Sequence, residues 1–401
     1  MIRPRVQTAD WFKEAIIYHI LIDRFAGYKS PENWDKPVFL GGNIKGITGK
    51  LNYFADLGIN TIWISPFYKT CAYHGYHITD YFSTDPKFGS AEDLKELIRK
   101  AHKSNIRVIA DFVPNHCSSK HPFFLESLKN KKSRYYKWFY FIKWPGKYLC
   151  FLDYKQLPKL NLENPETCEH ITESAKYWLK HGIDGFRLDH VVGCPDIFWK
   201  KFTKEIKNSY PESVLIGEAW IQGIGYRLLK TIKIKNKYFR WFFGISQSGI
   251  QKEYIGILDG VLDFNFRDRI VEYIAWKERP EDYSNILLSS IREYYKKFPA
   301  GFYLPGFVDN HDMSRFMFEC GQNKERLKQA LTLQFMLPQP PIIYYGTEAG
   351  LSHDKPVMLN EPYSDLKVRK PMPWENTDKE LTEFCRELIR NRRNSMQFTD
   401  K

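Results

Sequence analysis

The feature that most constrains the fold of this 401-residue chain is a repeated alternation of short apolar runs with longer segments of helical periodicity. Strands that alternate with helices pair in parallel, and parallel strands covered on both faces are apolar throughout. Eight such units predict an α/β fold, a closed (β/α)8 or TIM barrel. The candidate strands are Ile16–Leu21, Thr61–Ser65, Val108–Phe112, Gly185–Asp189, Val214–Gly217, Gly260–Phe264, Phe307–Asp309 and Ile342–Tyr344. The candidate helices are Ile44–Leu57, Ala91–Ser104, Pro165–His181, Pro195–Ser209, Arg267–Trp276, Lys324–Leu337 and Lys379–Arg393.

The alternative architecture is a doubly wound open sheet, but such a sheet rarely needs eight strands, and no GxGxxG fingerprint follows the first strand. The connection between the third and fourth strands, from Cys117 to Asn161, is rich in Pro, Lys and aromatic residues. A connection of that length predicts a small inserted domain. We therefore expect the first part of the barrel at 1–116, the insertion at 117–161 and the rest of the barrel at 162–401.

The composition is that of a globular protein, with 43% hydrophobic and 27% charged residues. Aromatic residues reach 16%, which predicts a large core, a groove lined with rings, or both. The net charge is +13, but the basic residues are spread along helices such as 200–207. Charge alone governs solubility and non-specific attraction, so we do not expect a nucleic-acid partner.

The sequence carries no membrane or export signal that we can identify. No window approaches the roughly 18 apolar residues of a membrane span, and the N-terminus lacks a signal peptide. The seven cysteines are scattered, without the close spacing of a zinc site or a redox pair, and we read them as reduced thiols. We therefore expect a cytoplasmic protein without a membrane partner, and no motif sets its oligomeric state.

Polar side chains follow four of the candidate strands at the point where each strand ends. The carboxyl ends of the strands meet at one rim of a (β/α)8 barrel, where the active site lies. A single aspartate at a strand end is more often a helix cap or an ion-pair partner, but four such ends together indicate an active site. The four segments are Asp111–His116, Phe186–His190, Gly217–Trp220 and Val308–Asp312.

Carboxylates, imidazoles and an arginine without a phosphate-binding loop suggest glycoside hydrolysis, which needs one protonated and one ionised carboxyl group. Arg187 and Asp189 point to the same side of a strand, and a neighbouring guanidinium favours the ionised carboxylate of a nucleophile. The alternative for this pair is a purely structural ion pair. Glu218 lies between Gly217 and Ala219, an apolar setting that favours the protonated form of an acid catalyst.

These segments resemble the four signature blocks of the α-amylase family, in the family's order. The blocks are DFVPNH (Asp111–His116), GFRLDHVV (Gly185–Val192), IGEAW (Ile216–Trp220) and FVDNHD (Phe307–Asp312). Supporting segments are GINTIWISP (Gly58–Pro66), AYHGYHITDYF (Ala72–Phe82), LPKLN (Leu157–Asn161) and YYGTEAGL (Tyr344–Leu351). The similarity runs from about Tyr18 to the end of the chain.

The resemblance implies a catalytic barrel with a small B domain after the third strand and a retaining double displacement on α-linked glucose. It implies catalytic roles for Asp189 as nucleophile, Glu218 as general acid/base and Asp312 as transition-state stabiliser. It implies substrate contacts for Tyr76, His116, Arg187, His311 and Arg315. It implies that Asp111 and Asn115 support the site.

Two sequence features differ among family members. One concerns the part of the site that binds the acceptor, and the other indicates the subgroup. Where many members end the second block in Lys-His, this chain has Val192 and Gly193. The LPKLN segment resembles the MPKLN of neopullulanases, cyclomaltodextrinases and maltogenic amylases more than the QPDLN of α-1,6-glucosidases. The stretch Leu258–Ile270 resembles the same subgroup.

A third departure concerns metal. Asn115 matches a calcium ligand of the family, but Asp153 is the only carboxylate between Glu126 and Glu163 to supply further oxygens. Since calcium takes 6–8 oxygen ligands, the site looks poorly supplied. We expect no cofactor for the chemistry, and a structural calcium ion at Asn115 stays an open alternative.

Most family members also carry an antiparallel β domain after the eighth helix, and we expect none in this chain, whose sequence ends at Lys401. The leading hypothesis is a hydrolase of α-1,4-glucosidic bonds in maltooligosaccharides, dextrin or starch, with an α-glucan as its only partner. The alternatives are an α-glucanotransferase on the same scaffold, and a non-catalytic glucan-binding protein, although such proteins typically lose one of the three carboxylates.

Overall fold

The computed structural model describes residues 8–220, 247–276, 283–357 and 361–399. Eight short parallel strands form one sheet, and we number them first to eighth along the chain. They are Ile17–Ile20, Thr61–Ile64, Arg107–Phe112, Gly185–Leu188, Val214–Gly217, Gly260–Val261, Gly306–Phe307 and Pro341–Tyr344. Neighbours in sequence pair from the first strand to the sixth, the seventh pairs with the eighth, and the first pairs with the eighth. The sixth strand closes the ring, since Val261 N–H donates to the Tyr303 carbonyl at 3.0 Å. The predicted (β/α)8 barrel is confirmed.

Alternation along the strands divides the core into two layers. Successive side chains of a strand point to opposite faces of the sheet. Ile17, Trp63 and Ile109 belong to a cluster that fills the barrel interior. Their neighbours Tyr18 and Ile62 belong to the larger cluster beneath the helices. Both faces are therefore buried, which is why the strands read as continuous apolar runs.

Helices surround the sheet. The longer ones are Ala91–Lys103, Pro165–Lys180, Asp196–Ser209, Tyr283–Tyr295, Lys324–Met336 and Lys379–Thr399. The shorter ones are Ile22–Phe25, Ile44–Thr48, Leu51–Leu57, Pro122–Lys129, Gln247–Lys252, Phe264–Ile270 and Phe316–Glu319, with a π-helical turn at Val271–Ala275. Single 3-10 turns lie at Asp10–Glu14, Pro31–Asn33, Arg134–Trp138, Phe151–Asp153, Val191–Gly193 and Ser364–Val368.

The predicted helices form, with differences. The segment predicted as one helix over 44–57 is two helices separated at Gly49 and Lys50, where Gly49 ends the first. Five of the described helices were not predicted: Ile22–Phe25, Pro122–Lys129, Gln247–Lys252, Tyr283–Tyr295 and Phe316–Glu319. Two of the predicted helices begin at side-chain N-caps: the Ser90 side chain accepts from Asp93 N–H, and the Asn164 side chain accepts from Thr167 N–H.

The segment 117–161 contains the helix Pro122–Lys129 and a two-stranded hairpin of Phe141–Lys143 with Lys147–Tyr148. Rings hold it together: Phe124 lies 4.8 Å from both Phe139 and Tyr148, centroid to centroid. A second hairpin, Tyr68–Thr70 with Ile78–Thr84, follows the second barrel strand. Both additions lie at the carboxyl ends of the strands, on the side where the candidate site was predicted.

The remaining features concern membrane-spanning helices, the cysteines and the end of the chain. Within the described ranges, no helix combines the length and apolar content needed to cross a bilayer. All seven cysteines carry free thiols. The final helix packs on the helices Lys324–Met336 and Leu51–Leu57. The expectation about a C-terminal β domain stays a prediction, as do the domain boundaries at 116 and 161.

Candidate active site

One buried guanidinium joins three carboxylates at the carboxyl rim of the barrel. Arg187, in the fourth strand, is 2% exposed. Its Nη1 lies 3.0 Å from both oxygens of Asp111 and 2.9 Å from Asp189 Oδ1. Its Nη2 contacts Glu218 Oε1. Bonds to adjacent nitrogens of one guanidinium bring Asp189 and Glu218 next to each other, although 29 residues separate them in sequence.

The strand ladder fixes where these groups stand. Asp111 and Arg187 are directly paired between the third and fourth strands. Beyond the strand ends, Asp189 N–H donates to the Phe112 carbonyl and Glu218 N–H donates to the Leu188 carbonyl, each at 2.8 Å. The backbone of both carboxylic residues therefore continues the ladder, which gives each side chain a fixed origin at the rim.

Burial sets the protonation of the cluster. It raises the pKa of Glu218 to about 6 and that of Asp111 to about 6, against the opposing effect of Arg187. Burial likewise raises the pKa of Asp189, whereas Arg187 lowers it. The predicted contact of Arg187 with Asp189 forms, and Arg187 favours the ionised carboxylate as expected, but burial outweighs it in setting the pKa of Asp189.

Asp312 approaches from the loop after the seventh strand. Its Oδ1 lies 2.8 Å from Arg369 Nη2, and its Oδ2 lies 3.1 Å from His311 Nε2. Its side chain is 32% exposed, compared with 10% for Asp189 and 9% for Glu218. Asp312 thus faces the opening of the site, whereas the other two line its floor.

Tyr76 links the two sides of the site. Its hydroxyl donates to Asp111 Oδ2 at 2.8 Å and lies 2.8 Å from His311 Nε2. The Tyr76 and His311 rings are stacked, with planes 6° apart and centroids 5.4 Å apart. Trp63 Nε1 also donates to Asp111, at 3.2 Å. Asp111 is therefore saturated by neighbours, which fits a supporting residue better than a reacting one.

His116 and the insertion form another edge of the site. The Phe151 ring lies 4.8 Å from the His116 ring and 4.7 Å from the His190 ring. His116 Nε2 is buried and has no hydrogen-bond partner within the described part of the chain. His190 N–H donates to Glu218 Oε2 at 3.1 Å. A buried ring nitrogen without a partner in the described part of the chain suits a donor to a bound hydroxyl.

Arg315 is a predicted site residue that lies in the protein core. It is fully buried, its Nη1 and Nε donate to the Tyr345 and Val368 carbonyls at 2.6 and 3.1 Å, and it lies 3.9 Å over the Tyr344 ring. These described contacts of the Arg315 guanidinium are with the chain itself, and its predicted contact with substrate stays a prediction. These bonds tie loop segments of the barrel together.

Arg369 is the residue that the sequence predictions missed. Besides Asp312 it contacts Asp365 at 2.5 Å and Tyr73 Oη at 3.1 Å, and its Nε donates to the His311 carbonyl at 2.8 Å. It lies outside the four blocks, just after the 3-10 turn Ser364–Val368. The Asp365–Arg369 spacing of four signals an ion pair, but not that it reaches the site.

The oxygens around Asn115 do not fit a calcium ion. Lys159 Nζ donates to Asn115 Oδ1 at 3.2 Å and to the Gly193 carbonyl. Burial lowers the pKa of Lys159 to about 8, so at pH 7 the amine is mainly protonated and opposes a second cation. Asp153, the carboxylate that the sequence offered, is exposed.

The chain matches the family described as Alpha amylase, catalytic domain, over residues 19–148, 142–228 and 246–388. It is 38% identical to Alpha-amylase 2 of Dictyoglomus thermophilum over 96% of this chain and 64% of that protein. It is 30% identical to Neopullulanase 2 of Thermoactinomyces vulgaris over 98% of this chain and 65% of that protein. The chain thus spans just under two thirds of the length of these relatives.

A solved structure of a similar protein has the same fold. The type III pullulan hydrolase from Thermococcus kodakarensis superposes with a TM-score of 0.80 at 28% identity, over 98% of this chain and 71% of that chain. The barrel, the insertion after its third strand and the carboxylates at its rim agree with these matches. The chain therefore belongs to the α-amylase family, on its neopullulanase and cyclomaltodextrinase side.

Proposed function

We propose that this chain is a retaining glycoside hydrolase that cleaves α-1,4-glucosidic bonds of maltooligosaccharides, dextrin or starch. The observation that carries the proposal is the shared guanidinium, since it brings two carboxyl groups together at the barrel rim. Retaining enzymes hold their two carboxyl groups about 5–5.5 Å apart, closer than inverting ones. The family relationship supports an α-linked glucan as substrate.

In the first step, the Asp189 carboxylate attacks the anomeric carbon while Glu218 gives its proton to the departing glycosidic oxygen. The carbon–oxygen bond breaks, and a covalent glycosyl ester on Asp189 forms. The raised pKa of Glu218, about 6, supports its role as the proton donor. Arg187 stabilises the anionic form of Asp189 that attacks.

In the second step, Glu218 takes a proton from water, and the water oxygen attacks the anomeric carbon and displaces Asp189. Two inversions leave the α configuration of the product unchanged. Asp312, the most exposed of the three, binds hydroxyls of the reacting sugar as the ring flattens. Tyr76 stacks beneath that ring, and His116 and His311 donate to its hydroxyls.

The insertion 117–161 serves in this proposal as the B domain that walls one side of the cleft. Support comes from Phe151, whose ring lies against His116 and His190. Aromatic faces are suited to stacking on sugar rings. The free thiols support an enzyme that works in the cytoplasm, where thiols stay reduced.

The test is the release of reducing sugar from maltohexaose by the wild type and by Asp189→Asn. We expect a loss of at least about 10³-fold in kcat, with the thermal midpoint unchanged. Asp153→Asn, which makes the same change at an exposed aspartate of the insertion, is the matched control and keeps full activity. Undiminished activity in Asp189→Asn would discard the assignment. Polarimetry or NMR measures the anomeric configuration of the first product, which we expect to be α.

The products of maltotriose separate hydrolysis from transfer. We expect glucose and maltose when water is the acceptor. Accumulation of oligomers longer than maltotriose identifies a glucanotransferase, because the glycosyl ester on Asp189 then passes to a sugar hydroxyl. Parallel digests of maltohexaose, cyclomaltodextrin and pullulan define the preferred chain.

A further inference from the structure

Lys159 is a buried lysine in an unusual position. Its side chain enters the junction between the insertion and the barrel, and the residue is 7% exposed. Its backbone is paired on both sides: its N–H donates to the Leu149 carbonyl at 2.9 Å, and the residue forms an antiparallel bridge with His116. Lysine is almost never fully buried unless its charge has a partner.

The partners of its ammonium group are neutral oxygens. Nζ donates to the Asn115 side-chain oxygen and to the Gly193 carbonyl. Among the residues that the structure describes, no carboxylate forms an ion pair with Lys159. Amide and carbonyl oxygens converging on one point are the donor set that a hard cation prefers. Here a side-chain cation of the chain itself fills that point.

Gly193 makes the arrangement possible. A Cβ at this position would lie 2.3 Å from Asn115 Oδ1 and 2.5 Å from His190 Cδ2. Only glycine lets the Asn115 amide lie against the turn Val191–Gly193 while the Gly193 carbonyl faces Lys159. Gly193, one of the two residues by which the second block departs from the family pattern, therefore bonds through its carbonyl to Lys159 of the LPKLN segment.

The same turn and the residue before it contact Glu218. His190 N–H donates to Glu218 Oε2 at 3.1 Å, and Val191 N–H donates to the Glu218 carbonyl at 3.2 Å. Leu160 N–H donates to the Asn115 carbonyl at 3.0 Å. Three segments thus meet at one ammonium group: the insertion, the end of the third strand and the turn after the fourth strand.

We infer that the Lys159 ammonium replaces the calcium ion that the resemblance suggested, so that the insertion is held to the barrel without bound metal. Lys159 is then a positioning residue: it fixes the turn that orients Glu218, and it touches no substrate. The ammonium donates hydrogen bonds to the oxygens that a calcium ion would otherwise coordinate.

The first experiment measures thermal unfolding of the wild type in excess EDTA and in excess calcium. We expect the same midpoint within about 1 °C in both. Elemental analysis of protein purified in calcium and then dialysed should show no stoichiometric calcium. A midpoint that falls in EDTA, or one tightly bound calcium per chain, would overturn the inference.

The second experiment replaces the cation. Lys159→Met is expected to lower the midpoint by several degrees, and calcium should not restore it. Lys155→Met is the matched control, the same change at an exposed lysine four residues away, and should leave the midpoint unchanged. Equal midpoints for Lys159→Met and the wild type would contradict the inference.

The third experiment exchanges the cation for a carboxylate. Lys159→Asp adds anionic oxygens to those of Asn115 and Gly193, and we expect this variant alone to gain several degrees on addition of calcium, reversed by EDTA. A variant with no calcium response would contradict the equivalence of ammonium and metal. These readouts do not depend on catalysis, so they remain valid if the proposed hydrolase activity fails.

A kinetic readout tests the positioning role, which rests on the proposed function. Below its unfolding temperature, Lys159→Met should lose about 10-fold or more in kcat on maltohexaose with little change in KM, because the turn at Glu218 shifts and binding elsewhere does not. A full kcat in this variant would remove the positioning role and leave the structural one.

Discussion

At the residue scale, the balance of burial and charge decides what each acid in the site does. Arg187 contacts Asp111, Asp189 and Glu218, but a single positive charge does not neutralise three carboxylates. Burial therefore raises the pKa of all three acids. A cluster of this kind retains a proton near neutral pH, which is what a proton donor to a leaving group requires.

The pH profile follows from this balance. The pKa of Glu218 is raised to about 6, so the acid is protonated below that pH and loses its proton as the pH rises through it. We expect kcat/KM to fall on the basic side with an apparent pKa near 6. Initial rates on maltotriose between pH 4 and 9 measure this limb. A flat rate to pH 8 would contradict the assignment of Glu218 as the free enzyme's acid.

Substitution of Arg369 is expected to lower catalytic efficiency, whereas substitution of Arg315 is expected to lower stability. Arg369→Met removes the contact at 2.8 Å with Asp312, and we expect kcat/KM to fall about 10²-fold because that carboxylate loses its orientation.

Arg315→Met leaves two buried carbonyls unpaired, each worth about 1–3 kcal/mol, so we expect a lower thermal midpoint and little change in KM. The two variants are compared by kinetics and calorimetry, and the reverse pattern would identify Arg315 as a substrate residue.

At the element scale, local sequence signals set where helices begin. In the helix Ala91–Lys103, Ser90 and Asp93 exchange side-chain and backbone bonds in a capping box. Local signals also set where a helix ends: Gly49 ends one helix, and a second begins two residues later. These features depend on a few neighbouring residues.

The cap gives a direct prediction. Ser90→Ala is expected to lower the free energy of unfolding by about 1 kcal/mol, because Asp93 N–H loses its acceptor. Ser90→Asp keeps an acceptor at that position and should stay close to the wild type. Urea unfolding followed by circular dichroism measures both. Equal losses in the two variants would show that the hydroxyl acts through something other than capping.

At the scale of the whole molecule, closure of the barrel depends on one close approach. A Cβ on Gly260 would lie 2.1 Å from the Tyr303 carbonyl oxygen, at the point where the sixth strand meets the segment before the seventh. Only a residue without a side chain lets these two backbones pair. Closure in turn sets the spacing of all the strand ends that carry the site.

We therefore expect Gly260→Ala to cost about 1–3 kcal/mol or more, since the added methyl group meets backbone and not a movable side chain. Gly146→Ala is the control, because a Cβ there meets no atom within 4 Å. Thermal unfolding compares the two variants with the wild type. A stable Gly260→Ala protein would mean that the sixth strand can shift without opening the barrel.

The barrel and most of the site follow from local patterns in the sequence. Strand alternation and apolar runs are local properties, and the strand ends carry Asp189 and Glu218 to one rim, with Asp312 in the loop that follows the seventh strand. The caps at Ser90 and Asn164 were readable for the same reason. Each of these signals rests on residues within one turn or one strand.

Which charges meet depends on the folded chain as a whole. Arg369 reaches Asp312 across 57 residues, Lys159 reaches Gly193 across 34, and Arg315 turns into the core. Such contacts depend on how loops fold back over the rim, and no local pattern encodes that path. Burial, another property of the assembled fold, then set the direction of the pKa of Asp189 against the charge beside it.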